Sequence, residues 1–207
     1  MHHEALTSTG KLLLPYLSKI KPYYLAGGTA LALQIGHRVS IDFDFFSDKK
    51  ISAALYSEVK KILPQNINIK PSVNNSDELT VFASDTKVTF LHYPFPLVRP
   101  LIDLNGLQLT SVQELGAIKA YTIGRRGAYK DYIDLYYLLY EKSTTLQEII
   151  ELAKMKYKND FSDRLFLEQL IYLDDINIAD IILLKQERCT TEQLKTFFKE
   201  QIKSLDL

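Results

Sequence analysis

The chain has 207 residues, 46% of them hydrophobic and 24% charged, with only eight glycines and seven prolines, so it is an ordinary globular sequence and not a disordered or repetitive one. Lys plus Arg equals Asp plus Glu at 25 each, which removes any long-range attraction to a polyanion and leaves nucleic-acid binding to a local patch. The single cysteine, Cys189, rules out an intramolecular disulfide and points to a reducing cytoplasm; no apolar run is long enough for a membrane span, and the start has no signal-peptide pattern.

In chain order, residues 4–20 read as a helix stopped by Pro22. A short β-type run, Tyr23-Tyr24-Leu25, ends at Gly27-Gly28, and Thr29 caps a brief helix over residues 30–34 that Gly36 ends. Residues 39–46, VSIDFDFF, alternate apolar and polar side chains, the pattern of a half-buried strand. A helix over 52–63 and three further strands over 67–69, 78–83 and 87–92 follow, with turns at 74–77 and 84–85. Beyond Ser111 the sequence reads as helices over 111–123, 129–141, 144–157, 162–174 and 190–205.

The strongest chemical signal lies in residues 25–46. On one strand Asp42 and Asp44 project from the same face, about 6–7 Å apart, within reach of one cation or a pair. Two carboxylates this close favour a neutralising positive centre, and Mg²⁺, which takes one or two carboxylates plus substrate phosphates, suits them. A bare Asp-x-Asp also describes a solvated strand face, so the context matters. Gly27 and Gly28 open a helix N-terminus to a phosphate, and Arg38 and Ser40 add a fixed cation and a hydroxyl just before the acidic pair.

The stretch GGTALALQIGHRVSIDFDFF resembles the nucleotide-binding motif of the DNA polymerase β-like nucleotidyltransferase superfamily, and in detail that of AbiEii/AbiGii-type nucleotidyltransferase toxins. A second block, KAYTIGRRGAYKDYIDLYYLL at 119–139, resembles the later motif of that family. Asp131 and Asp134 stand i and i+3 on one helix face, and a turn over 124–127 is the expected means of bringing Lys119 of the preceding helix together with them. Asp131 also suits a plain first-turn carboxylate, and Lys119 a surface lysine. Thr29 replaces the usual serine, and the strand TKVTFLH lacks the third carboxylate of many relatives, Asp103 being the nearest downstream acid.

The resemblance implies an α+β nucleotidyltransferase fold: a small mixed β-sheet flanked by helices over 1–105, with a helical portion over 106–207 packed against it. It implies transfer of a nucleoside monophosphate from an NTP to an acceptor hydroxyl, with Asp42 and Asp44 binding Mg²⁺. Gly27, Gly28, Thr29, Arg38 and Ser40 would hold phosphates, Lys119 the pyrophosphate, and Asp131 or Asp134 would orient Lys119, the acceptor or a metal. The implied acceptor is RNA, with tRNA 3′ ends foremost, and the implied partner a cognate antitoxin. A protein or small-molecule acceptor, or a silent nucleotide-binding module, are the alternatives. Arg125, Arg126, Lys130, Lys154, Lys156 and Lys158 are candidate RNA contacts or solvated faces, and Tyr129, Tyr132, Tyr136, Tyr137 and Tyr140 are candidate base-stacking or core residues.

Overall fold

The computed structural model describes residues 1–185 and 189–205; residues 186–188 and 206–207 of the expected helical portion lie outside the described residues. The chain divides into two compact units, Met1–Pro96 with Pro100–Thr110, and Leu97–Arg99 with Ser111–Leu207.

The first unit is a seven-stranded sheet with three helices. Its strands are β1 (Tyr24–Ala26), β2 (Phe43–Ser47), β3 (Ile69–Asn74), β4 (Glu78–Ala83), β5 (Thr86–His92), β6 (Ile102–Leu104) and β7 (Leu107–Leu109), ordered β3-β4-β5-β2-β1-β7-β6. The sheet is mixed: β2 pairs parallel with β5 and antiparallel with β1, while β1 and β7 are parallel. The helices are α1 (Ser8–Leu17), α2 (Gly27–Ile35) and α3 (Leu55–Ile62).

Side-chain packing fixes the register of β2. Phe43 and Phe45 are each 1% exposed, and Phe45 stacks on Phe90 of β5 at 5.2 Å between ring centroids. Each buried phenylalanine contributes about 1.5–3 kcal/mol. A one-residue slip would bury Asp44 and expose both rings, so the apolar face dictates where the acids stand.

Several boundaries differ from the sequence pattern. The first helix starts at Ser8 because Thr7 is extended and accepts a hydrogen bond from the Gly10 N–H (3.0 Å); residues 3–5 form a separate 3-10 turn. The β2 ladder begins at Phe43, not residue 39: pairing with β1 stops at Asp44, opposite Ala26, where the chain bends through Gly27 into α2, and pairing with β5 stops at Phe43, opposite Val88. Residues 40 and 42 bond elsewhere. Strands β6 and β7 flank an Asn105-Gly106 turn whose residues both take positive φ (50° and 88°), the pairing such a hairpin requires. Because β7 joins β1, this hairpin belongs to the sheet, and the first unit runs to Thr110.

The second unit is helical: α4 (Val112–Arg126), α5 (Tyr129–Tyr140), α6 (Leu146–Tyr157), α7 (Asp163–Ile171) and α8 (Thr191–Lys203). Side-chain oxygens of Ser111, Thr145, Ser162 and Thr190 cap four of these helices. Helix α4 packs against α5, α6 and α7. Gly116 lets α6 come close, since a Cβ there would lie 2.9 Å from Ile149 Cγ1. Inside this unit the fully buried Lys156 Nζ contacts Glu114 Oε1 at 2.6 Å, and Glu114 also accepts from the Arg99 N–H (2.9 Å).

Candidate active site

Each unit holds one cluster of the expected site residues. In the first, β1 runs directly into α2, and Gly27 makes the bend in a left-handed conformation with φ +64°. Asp44 sits opposite Ala26 in the β1–β2 register, and a Cβ at Gly27 would lie 2.6 Å from its Oδ2. Gly27 is therefore required twice, by its backbone and by the space that the carboxylate occupies.

Asp44 is half-buried on the face opposite Phe43 and Phe45; Asp42 is half-buried one residue before the strand. Thr29 lies in the first turn of α2, which Ala26 precedes as the cap residue, so the threonine does not cap the helix. Its buried hydroxyl instead meets Ser40 Oγ at 2.8 Å and donates to the carbonyl oxygen of Asp42. A hydroxyl has one proton, so donating it to Asp42 leaves the lone pairs of Thr29 to accept from Ser40. The pair joins the start of α2 to the segment carrying the acids. Ser40 is 8% exposed; Arg38 is 5% exposed and donates from a guanidinium nitrogen to the Val39 carbonyl (3.1 Å). Gly28 is half-buried in the first turn of α2, whose N-terminal N–H groups favour an anion.

The two acids offer hard oxygen donors, and no group of three or more metal-ligating side chains occurs among the described residues. That donor set fits Mg²⁺, which dehydrates reluctantly and completes its shell with water and substrate phosphates. On β5 the residue in register with Asp44 is Thr89, a buried side chain that shares a 3.2 Å hydrogen bond with Thr80. Asp103 lies on β6 and accepts from the Gly106 N–H (3.1 Å) and the Gln108 amide, so it braces the β6–β7 turn.

In the second unit, Lys119 of α4 bridges both acids of α5, with Nζ 2.7 Å from Asp131 Oδ1 and 2.6 Å from Asp134 Oδ2. None of the three side chains is more than 8% exposed. Asp131 also accepts from the Ala128 N–H at 3.1 Å, which fixes the first turn of α5. Gly127 permits the reversal between α4 and α5, since a Cβ there would lie 2.7 Å from the Tyr132 ring. Burial, with a smaller contribution from the Asp131 charge, pushes the Tyr132 phenol up to about 12.

Most of the tyrosine candidates serve packing. Tyr129, Tyr132, Tyr136 and Tyr137 are at most 8% exposed, and only Tyr140 of the five is exposed. Arg125 lies over the Tyr121 ring (3.8 Å) and donates to the Asp160 carbonyl, while Lys154 pairs with Asp163. Arg126, Lys130 and Lys158 are exposed.

A mixed sheet carrying an Asp-x-Asp beside a glycine bend, with a lysine–carboxylate cluster on later helices, is the plan of a nucleotidyltransferase. Comparison with known proteins makes this specific. A sequence profile described as "Nucleotidyl transferase AbiEii toxin, Type IV TA system" matches residues 17–207, and the chain belongs to this AbiEii family of toxin nucleotidyltransferases. An uncharacterised protein of Aquifex aeolicus (strain VF5) is 30% identical over 184 residues, 87% of this chain and 86% of that one. Among solved structures, the fold is similar to MenT4, a nucleotidyltransferase toxin from Mycobacterium tuberculosis (TM-score 0.61, 18% identity, 94% of this chain and 82% of that one). It is also similar to JHP933 from Helicobacter pylori (TM-score 0.57, 21% identity, 95% and 90%). No helix among the described residues is long and apolar enough to cross a membrane.

Proposed function

We propose that this nucleotidyltransferase moves a nucleoside monophosphate from an NTP to an RNA hydroxyl, with tRNA 3′ ends as the leading acceptor, and that Asp42 and Asp44 hold the Mg²⁺ the reaction needs. The observation that carries the reading is the placement of Asp44: it stands beside the one bend where only glycine leaves room for its carboxylate. When bound, Mg²⁺ would neutralise phosphate charge and favour ionisation of the attacking hydroxyl.

The acceptor oxygen bonds to the α-phosphorus as the bond to the departing pyrophosphate breaks, and the hydroxyl proton passes to water. Little covalent work falls to the protein, so its residues act by position and charge. Gly27, Gly28 and Thr29 would present the start of α2 to the phosphates, with Ser40 and Arg38 setting the adjoining segment. Lys119 would balance the charge of the pyrophosphate, and Asp131 and Asp134 orient its ammonium, a role supported by the two short ion pairs. As a family toxin the protein would halt growth, and a cognate antitoxin would counter it.

The test is incubation with each labelled NTP, Mg²⁺ and a mixture of cellular RNA and protein. Label in tRNA is the expected result. Label in protein or in a small molecule would replace the acceptor while keeping the chemistry.

A further inference from the structure

Residues 1–10 touch Ser40 and Phe43 around the acids and, at His2, the C-terminal part of α2. The Ser40 N–H donates to the Ala5 carbonyl at 2.8 Å, and Leu6 and Ser40 form an isolated parallel β-bridge. The His2 N–H donates to the Leu33 carbonyl in α2 (2.9 Å), and the His2 ring lies against Gly36, where a Cβ would approach it to 2.4 Å. A short contact with Glu4 (2.7 Å) holds that ring. At the far end of the segment, a Cβ on Gly10 would lie 3.6 Å from the ring of Phe43, the residue between the two acids. Ala5 and Leu6 are buried, at 0% and 3% exposure.

These contacts form one continuous path. Ala5 fixes Ser40, Ser40 bonds Thr29, and Thr29 bonds the Asp42 carbonyl. Residues 41 and 42 lie outside the β2 ladder, so the sheet does not hold Asp42. We propose that Met1–Gly10 is a positioning strap that sets Asp42 relative to Asp44 for metal binding. Ala5 and Leu6, with the backbone N–H of His2, do the positioning, and none of them touches a reacting atom. The strap precedes the part matched by the family profile, residues 17–207. The proposal rests on the reading that Asp42 and Asp44 hold the divalent ion. Partners that orient a metal ligand from behind it are typically worth about 10- to 100-fold in metal affinity.

The experiment titrates Mn²⁺ alone, as a spectroscopic stand-in for Mg²⁺, into the full chain, a deletion of residues 1–6 and Gly36→Ala. Gly36→Ala drives a Cβ into the His2 ring and displaces the strap without shortening the chain. Steady-state transfer and thermal unfolding are read in parallel. The strap account expects Mn²⁺ affinity to fall about tenfold in both variants, with kcat falling and KM for NTP moving less. It also expects the double variant His2→Gly/Gly36→Ala to recover affinity that Gly36→Ala lost, which relief of backbone strain at residue 36 would not provide. Mn²⁺ affinity within about twofold of the full chain in a cooperatively folded deletion variant and in Gly36→Ala overturns the strap. Asp42→Asn in the same titration separates the two ideas. If it loses Mn²⁺ while the strap variants do not, the strap alone fails; if it binds Mn²⁺ normally, the metal reading fails and the strap with it.

Discussion

Gly27 and Asp44 share one small volume, and this pairing makes a double substitution informative. Gly27→Ala must adopt a left-handed backbone and place a methyl group 2.6 Å from Asp44 Oδ2. It should lower stability by about 1–3 kcal/mol and abolish transfer. Gly27→Ala/Asp44→Ala should recover part of that stability in denaturant melts, because the clashing oxygen is gone, while transfer stays lost. Lys119→Ala leaves two buried carboxylates without their shared ammonium and should cost about 3–5 kcal/mol. Lys119→Ala/Asp131→Asn/Asp134→Asn should regain stability without activity, which urea titrations alongside a transfer assay would show. At this scale the position of Asp44 was legible because a strand repeats every two residues, which sets its side chain opposite Phe43 and Phe45; Asp42 stands one residue before the strand, where that alternation no longer places it. The role of Thr29 was not legible. A hydroxyl in a sequence does not announce its partners, and these lie 11 and 13 residues away.

Among the elements, α5 carries a pH dependence whose sign is fixed. Tyr132 and Tyr137 are both pushed from 10.0 up to about 12, chiefly by burial. The unfolded chain would lose these protons first as pH rises. Their contribution is therefore fully present below about pH 10 and lost between about 10 and 12. Chemical denaturation of the wild type should weaken across that window, and Tyr132→Phe/Tyr137→Phe should flatten the fall. An unchanged slope in the double variant would contradict the assignment. Helices were readable where hydroxyl caps precede apolar periodicity, as at Ser111, Thr145 and Thr190. The strand at 39–46 was overextended because alternation reports which way side chains face, not whether a neighbouring strand reaches that far. The β6–β7 hairpin had a local signal in Asn105-Gly106, but strands of three residues give too little alternation to read. The Glu114–Lys156 pair, 42 residues apart, had no sequence signal, since it depends on α4 and α6 packing closely at Gly116.

For the whole molecule, equal numbers of acidic and basic residues mean that an RNA acceptor would have to be gathered locally. Arg125, Lys154 and Lys156 are engaged in internal contacts, whereas Arg126 and Lys130 are exposed beside the α4–α5 turn. Arg126→Ala/Lys130→Ala should raise KM for RNA and leave KM for NTP within about twofold; the opposite split would place these cations on the nucleotide. The central claim is that the chain transfers nucleotides through a divalent ion held by Asp42 and Asp44. Its most direct measurement follows labelled NTP into cellular RNA for the wild type, Asp42→Ala and Asp44→Ala, with Mg²⁺ and again with EDTA. The account predicts transfer only by the wild type with Mg²⁺; undiminished transfer by either folded variant, or in EDTA, would contradict it.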